Sequence, residues 1–261
     1  MTAPALATRG LAKRFGSLVV ADDIAIELPA GVRYALIGPN GAGKTTLINL
    51  ITGMLQPDDG RILLDDEDIT ALSPDERVRR GLVRTYQVNS LFPHLTALES
   101  VTLVVCERRR VAQTWWRQLP AYSAEIDEAY DILARLTLDK VCHRLTRELA
   151  YGQQRLLEIA LALATKPKVL LLDEPAAGVP RDESKDLFTA IAGLSSDITV
   201  LFIEHDMDLV FRFASRVIVM VGGRVLVEGT PAEISSDPRV RAVYLGKAHG
   251  ALQPTVSGGA P

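Results

Sequence analysis

The run Gly38-Pro39-Asn40-Gly41-Ala42-Gly43-Lys44-Thr45-Thr46 satisfies every position of the pattern G-x-x-x-x-G-K-[ST]. Glycines at those places let a loop curl with its backbone N–H groups turned inward, which makes a cradle for anions. A helix that starts where the loop ends adds a partial positive charge. The run therefore predicts a bound nucleoside triphosphate, with Lys44 on the β- and γ-phosphates and the Thr45 hydroxyl on Mg²⁺. A glycine-rich turn before an ordinary helix is the rival reading. Tyr34-Ala35-Leu36-Ile37 reads as a buried strand and Thr46–Ile51 as a helix, so the strand–loop–helix setting the motif requires is present.

A second chemical cluster closes the run Val169-Leu170-Leu171-Leu172-Asp173-Glu174. A strand apolar on both faces lies inside a sheet, and its end projects at the ligand crevice of an open α/β sheet. Asp173 would hold Mg²⁺, directly or through water, and Glu174 would take a proton from an attacking water. A solvated strand-to-loop boundary would look the same without the phosphate loop.

These residues need elements to position them. Ala5–Phe15 and Leu18–Leu28 read as strands joined at Gly16-Ser17, followed by short strands at Arg61–Leu64 and Leu82–Gln87. From roughly Leu98 to Thr165 the apolar spacing becomes helical, including Ile126–Leu136 and Gln153–Thr165. Strands at Lys168–Asp173, Ile198–Ile203 and Arg216–Val221 then alternate with helices at Arg181–Leu194 and Asp206–Phe213. That alternation implies a parallel sheet with helices on both faces and a helical block inserted into it.

Bulk properties narrow the class. A chain of 261 residues with 48% hydrophobic and 23% charged residues has the composition of a soluble globular protein and buries a core without staples. The net charge of −3 offers no electrostatic case for a nucleic-acid partner. Two cysteines, Cys106 and Cys142, make no disulfide framework and match no metal spacing. No leader-like start and no membrane-length apolar run is seen, so a cytosolic protein is expected. His94, His143 and His249 fit no motif. The basic, aromatic stretch Glu107–Arg110 with Trp115-Trp116-Arg117 reads as a solvated helix end or a contact with a membrane partner or lipid headgroups.

Leu149-Ala150-Tyr151-Gly152-Gln153 resembles the signature loop of the ATP-binding cassette (ABC) family, usually Leu-Ser-Gly-Gly-Gln. Alone, the pentapeptide is equally a cap for a helix opening at Gln153. The order of further residues favours the resemblance: Gln87 stands at the family's metal- and water-sensing Q-loop, and His205 at the switch position that contacts the γ-phosphate. Phe15 stands where the family stacks an aromatic on adenine, although a hairpin core aromatic reads similarly. The resemblance implies an α/β fold: a P-loop NTPase (RecA-like) parallel-sheet core with an antiparallel β subdomain and an inserted α-helical subdomain. Residues 1–88 and 166–246 would form the core, 89–165 the insert with the signature loop, and 247–261 a disordered tail.

Several stretches are similar to one branch, the larger ATPase of branched-chain amino acid importers. They are Leu149–Ala160, Glu174-Pro175-Ala176-Ala177-Gly178, Glu204-His205-Asp206-Met207, Val243-Tyr244-Leu245-Gly246 and the insert around Arg108–Tyr122. The resemblance implies ATP hydrolysis with Mg²⁺ and a second nucleotide-binding subunit, the same or a paralogous chain, whose signature residues 150–153 complete each site. It also implies two membrane permease subunits and, indirectly, a periplasmic solute-binding protein, with the chain peripheral on the inner membrane face. Ala150 and Tyr151 replace the usual Ser and Gly, and Val179-Pro180-Arg181 stands where the branch more often has Leu-Asn-Pro. Pro180 thereby lacks the side chain and N–H with which that loop touches the opposite site. Lipopolysaccharide export, urea, amide or aromatic-acid uptake, a soluble ABC regulator and a P-loop kinase are the competing functions.

Overall fold

The computed structural model describes residues 4–85, 91–111 and 122–245. Gln87, Trp115, Trp116, His249 and the 247–261 tail lie outside the described residues. Among those described are two sheets. The first is antiparallel and four-stranded, in the order β2 (Leu18–Pro29), β1 (Pro4–Phe15), β4 (Asp59–Leu64) and β5 (Glu67–Asp68). The second has six strands, ordered β10 (Arg224–Gly229), β9 (Arg216–Val221), β3 (Arg33–Ile37), β8 (Thr199–Ile203), β7 (Val169–Asp173) and β6 (Leu82–Thr85). All of its pairings are parallel except β9 with β10.

Side chains alternate across each strand, so every central strand feeds two cores. Ala35, Ile37, Leu170, Leu172, Val200 and Phe202 join one cluster with the helices between β6 and β7. Those helices are α3 (Ala97–Arg108), α4 (Ser123–Arg135) and α5 (Tyr151–Ala164). Leu36, Leu171, Leu201 and Ile203 face the other way, against the antiparallel sheet and α1 (Lys44–Thr52). The second face is therefore covered mostly by a sheet, where alternation alone implies helices on both sides. The short α2 (Pro74–Arg79) starts at a capping box in which Ser73 and Glu76 satisfy each other's free N–H groups.

The expected strands and helices appear within a few residues, with three informative differences. β10 is absent from the sequence reading, although Gly222 and Gly223, both at positive φ (57° and 80°), form the tight hairpin turn that announces it. The helix expected at Gln153 begins at Tyr151, because the Gln153 side chain folds back and accepts the Ala150 N–H at 3.1 Å. Gln153 is thus the third residue of the helix, and Tyr151 and Gly152 occupy its first turn. Finally, Arg108 and Arg109 do not end in solvent alone: both pair with Glu128 (2.8 and 2.6 Å), tying α3 to α4. The remaining described helices are α6 (Arg181–Ala192), α7 (Met207–Phe213), α8 (Pro231–Ser236) and α9 (Pro238–Leu245).

Candidate functional site

Because β3, β8, β7 and β6 are parallel neighbours, their C-terminal ends share one edge. The phosphate loop follows β3, His205 is the second residue after β8, Asp173 ends β7 and Glu174 follows it. Adjacent strands are about 4.8 Å apart, so sheet order brings residues far apart in sequence to one crevice.

The loop curls as its glycines predict. A Cβ on Gly38 would stand 2.3 Å from the Met220 carbonyl, and one on Gly43 (φ 98°) 2.6 Å from that of Val20. Lys44 opens α1 and donates to the Gly38 and Pro39 carbonyls at 2.7 and 3.2 Å, so its ammonium lies across the loop. Burial holds its pKa below the usual lysine value, while the charges of Glu174 and Asp173 oppose that shift. A cavity of about 590 Å³ is lined by Asn40 to Thr46, Glu174 and His205, with Leu18–Val20 of β2 and the Gly222-Gly223 turn. That volume is in the range of small-ligand sites.

Glu174 has φ 48°, an uncommon conformation for a residue with a side chain, and its N–H donates to the Ile203 carbonyl at 3.1 Å. This turn sends its carboxylate to His205, with Oε1 2.8 Å from Nε2. Behind them lies Glu204, only 5% exposed. It accepts the Ala176 N–H at 3.0 Å and the His205 N–H at 3.2 Å, fixing the backbones of both loops. Burial raises its carboxyl pKa, and the charge of Glu174 adds to the shift. Sequence reasoning quoted Glu204 in a branch-similar stretch but gave it no role, because its Ala176 partner lies 28 residues away.

The oxygen donors of Thr45 and Asp173 suit Mg²⁺, which takes one or two protein ligands and completes its shell with nucleotide phosphates and water. No group of three or more His, Cys, Asp or Glu that could hold a metal ion occurs among the described residues. Asp173 is 6% exposed and is gripped by Arg84. Gln87, expected to join this site, lies outside the described residues.

The other expected residues do not line the cavity, although Phe15 pairs with its lining residue Leu18. Phe15 is 53% exposed at the tip of β1, which excludes a hairpin-core role. Ala150–Gln153 open α5, whose cap residue Ala150 has no side-chain oxygen for the free N–H groups of the first turn. Tyr151 is 38% exposed and turns toward the loop after Glu174. Its hydroxyl donates to the Ala177 carbonyl (3.2 Å) and accepts from Arg155 Nη2 (2.9 Å). Gly178 lies so close that a Cβ there would be 3.2 Å from the Tyr151 ring. Pro180 caps α6, and its carbonyl accepts the Ser184 N–H at 2.9 Å, so the departure there leaves the helix intact.

A parallel sheet with a phosphate loop after one strand and an acid pair two strands away defines a P-loop nucleotide-hydrolase fold. The chain belongs to the ABC transporter family, whose model matches residues 21–177. The model for branched-chain amino acid ATP-binding cassette transporters matches residues 224–250. The chain is 40% identical to the high-affinity branched-chain amino acid transport ATP-binding protein BraF of Pseudomonas aeruginosa, over 95% of this chain and 100% of that one. It is equally similar, 40% over 95% and 100%, to LivG of Escherichia coli K12, a protein of the same description. A crystal structure of the ADP conformation of an ATP-binding cassette of an ABC transporter superposes with TM-score 0.81 at 34% identity, covering 94% of this chain and 100% of that one.

Proposed function

We propose that this chain is the ATP-hydrolysing subunit of an importer for branched-chain or related hydrophobic amino acids. The carrying observation is the meeting of phosphate loop, Glu174 and His205 around one cavity, in a chain similar end to end to branched-chain amino acid transport ATP-binding proteins.

In this reading the loop N–H groups and Lys44 bind the triphosphate, and Phe15 stacks on the adenine. Glu174 takes the proton of the attacking water, and His205, steadied against Glu174, clamps the γ-phosphate. Thr45, Asp173 and Gln87 would hold Mg²⁺, which when bound neutralises charge on the phosphate oxygens. A second nucleotide-binding subunit, the same chain or a paralogue, presents its own Ala150–Gln153 to complete the site. Residues 1–88 and 166–246 act as the core. The 89–165 insert passes closure to two permease subunits fed by a periplasmic binding protein. In this reading the chain sits in the cytoplasm, peripheral on the inner membrane face.

The test is reconstitution with the permease pair and binding protein in vesicles. ATP-dependent uptake of labelled leucine or a related hydrophobic amino acid is expected, and Glu174→Gln should bind ATP and dimerise while turnover collapses. Undiminished hydrolysis by that variant would remove Glu174 from its role. ATP turnover with uptake only of a urea, lipid or aromatic-acid cargo would remove the amino-acid reading.

A further inference from the structure

Arg84 sits where three motif-bearing elements meet, yet no sequence pattern singles it out. Period-two alternation explains how it gets there. Leu82 on β6, and Val169 and Leu171 on β7, face the cluster that contains α1. Arg84 and Asp173 share that parity, so both side chains turn toward the helix behind the phosphate loop. Arg84 Nη2 donates to Asp173 Oδ2 at 2.5 Å, and Nη1 donates to Asn49 Oδ1 at 2.7 Å. Asn49 lies on α1 one turn beyond Thr45, on the same helix face. The pair is well shielded, with side chains 10% and 6% exposed.

We propose that Arg84 is a positioning residue for Mg²⁺, a proposal that rests on the nucleotide-site reading above. One rigid guanidinium fork spans the end of β7 and the body of α1, so Asp173 and Thr45, two of the three residues assigned to the ion, are held on a common frame. Mg²⁺ tolerates little departure from octahedral geometry, so the protein contributes mainly by holding its oxygens still. Outer groups that orient metal ligands typically change metal affinity 10–100-fold when removed. The charge of Arg84 opposes the ion, but the nucleotide's phosphates supply most of the attraction. Orientation is what this fork adds. Lysine cannot replace it, since an ammonium lacks the planar pair of donors that reaches Asn49 and Asp173 together.

The experiment is binding of a fluorescent ATP analogue to the purified chain, titrated with Mg²⁺ and repeated in EDTA. Arg84→Gln should raise the half-saturating Mg²⁺ concentration about 10–100-fold, with affinity in EDTA unchanged. Arg84→Lys and Asn49→Ala should move the same way by less, and they carry the test if Arg84→Gln does not fold. Asp173→Asn serves as reference. If it raises the Mg²⁺ requirement while the Arg84 and Asn49 variants do not, the positioning role is overturned and the site reading stands. If Asp173→Asn has no effect either, the Mg²⁺ assignment itself fails. Tighter Mg²⁺ binding in the Arg84 variants would make the arginine a competing cation and overturn the proposal.

Discussion

Tyr151→Phe removes one oxygen from the corner joining α5 to the loop after Glu174, and its cost follows from the geometry. The hydroxyl makes a neutral hydrogen bond to the Ala177 carbonyl and receives a charged one from Arg155. Such bonds contribute about 0.5–1.5 and about 1.5–3 kcal/mol respectively. Two features lower the sum. The bond to the Ala177 carbonyl is open to water, and Arg155, itself only 4% exposed, keeps Glu158 at 2.9 Å and the Ala177 carbonyl at 3.5 Å. A net loss of about 1–2 kcal/mol is expected, which for a chain of this size lowers the melting temperature by about 2–8 °C. The ring remains, so its stacking under the Arg155 guanidinium, 5.2 Å from the centroid, persists. Urea unfolding should show a lower midpoint at unchanged slope. Because Ala177 follows Glu174 by three residues, kcat should fall while nucleotide affinity is kept. An unchanged midpoint together with an unchanged kcat would refute the idea that this hydroxyl braces the loop.

Three further outcomes are expected. Lys44→Ala should lower turnover about 10²–10³-fold, about 3–4 kcal/mol of lost stabilisation, measured as phosphate release at saturating ATP. Gly43→Ala should abolish nucleotide binding, read by filter binding or fluorescence, since its Cβ would stand 2.6 Å from the Val20 carbonyl at φ 98°. For Glu204, burial raises the folded-state pKa above the ordinary carboxyl value, so the native protein holds that proton more tightly than the unfolded chain. Its contribution to stability is complete below the ordinary value and is lost as pH rises through the folded one. Wild-type stability relative to Glu204→Gln should therefore decline in denaturant titrations as pH rises above the ordinary carboxyl value. A pH-independent difference would sink that account.

Much of the site was legible because its signals are local. The loop at residues 38–46 encodes its own curl, in glycines that alone tolerate the approach of Met220 and Val20. The apolar run before Asp173 and Glu174 announces a central strand, and β7 is buried at every position. Even the missed β10 had a local mark in the Gly222-Gly223 turn.

Contacts made across the sheet carried no such mark. The hydroxyl of Tyr151 meets Ala177, 26 residues on, and the Tyr151 ring lies against Gly178. Arg84, Asn49 and Asp173 lie far apart in the chain, and only strand order and side-chain parity bring them within hydrogen-bond reach. Sequence by itself determined which groups could bind a triphosphate, since motif chemistry is written in residue types a few positions apart. Tertiary structure decided which side chains hold those groups in place, because such neighbours are set by how strands pair and helices pack over distances no short pattern spans.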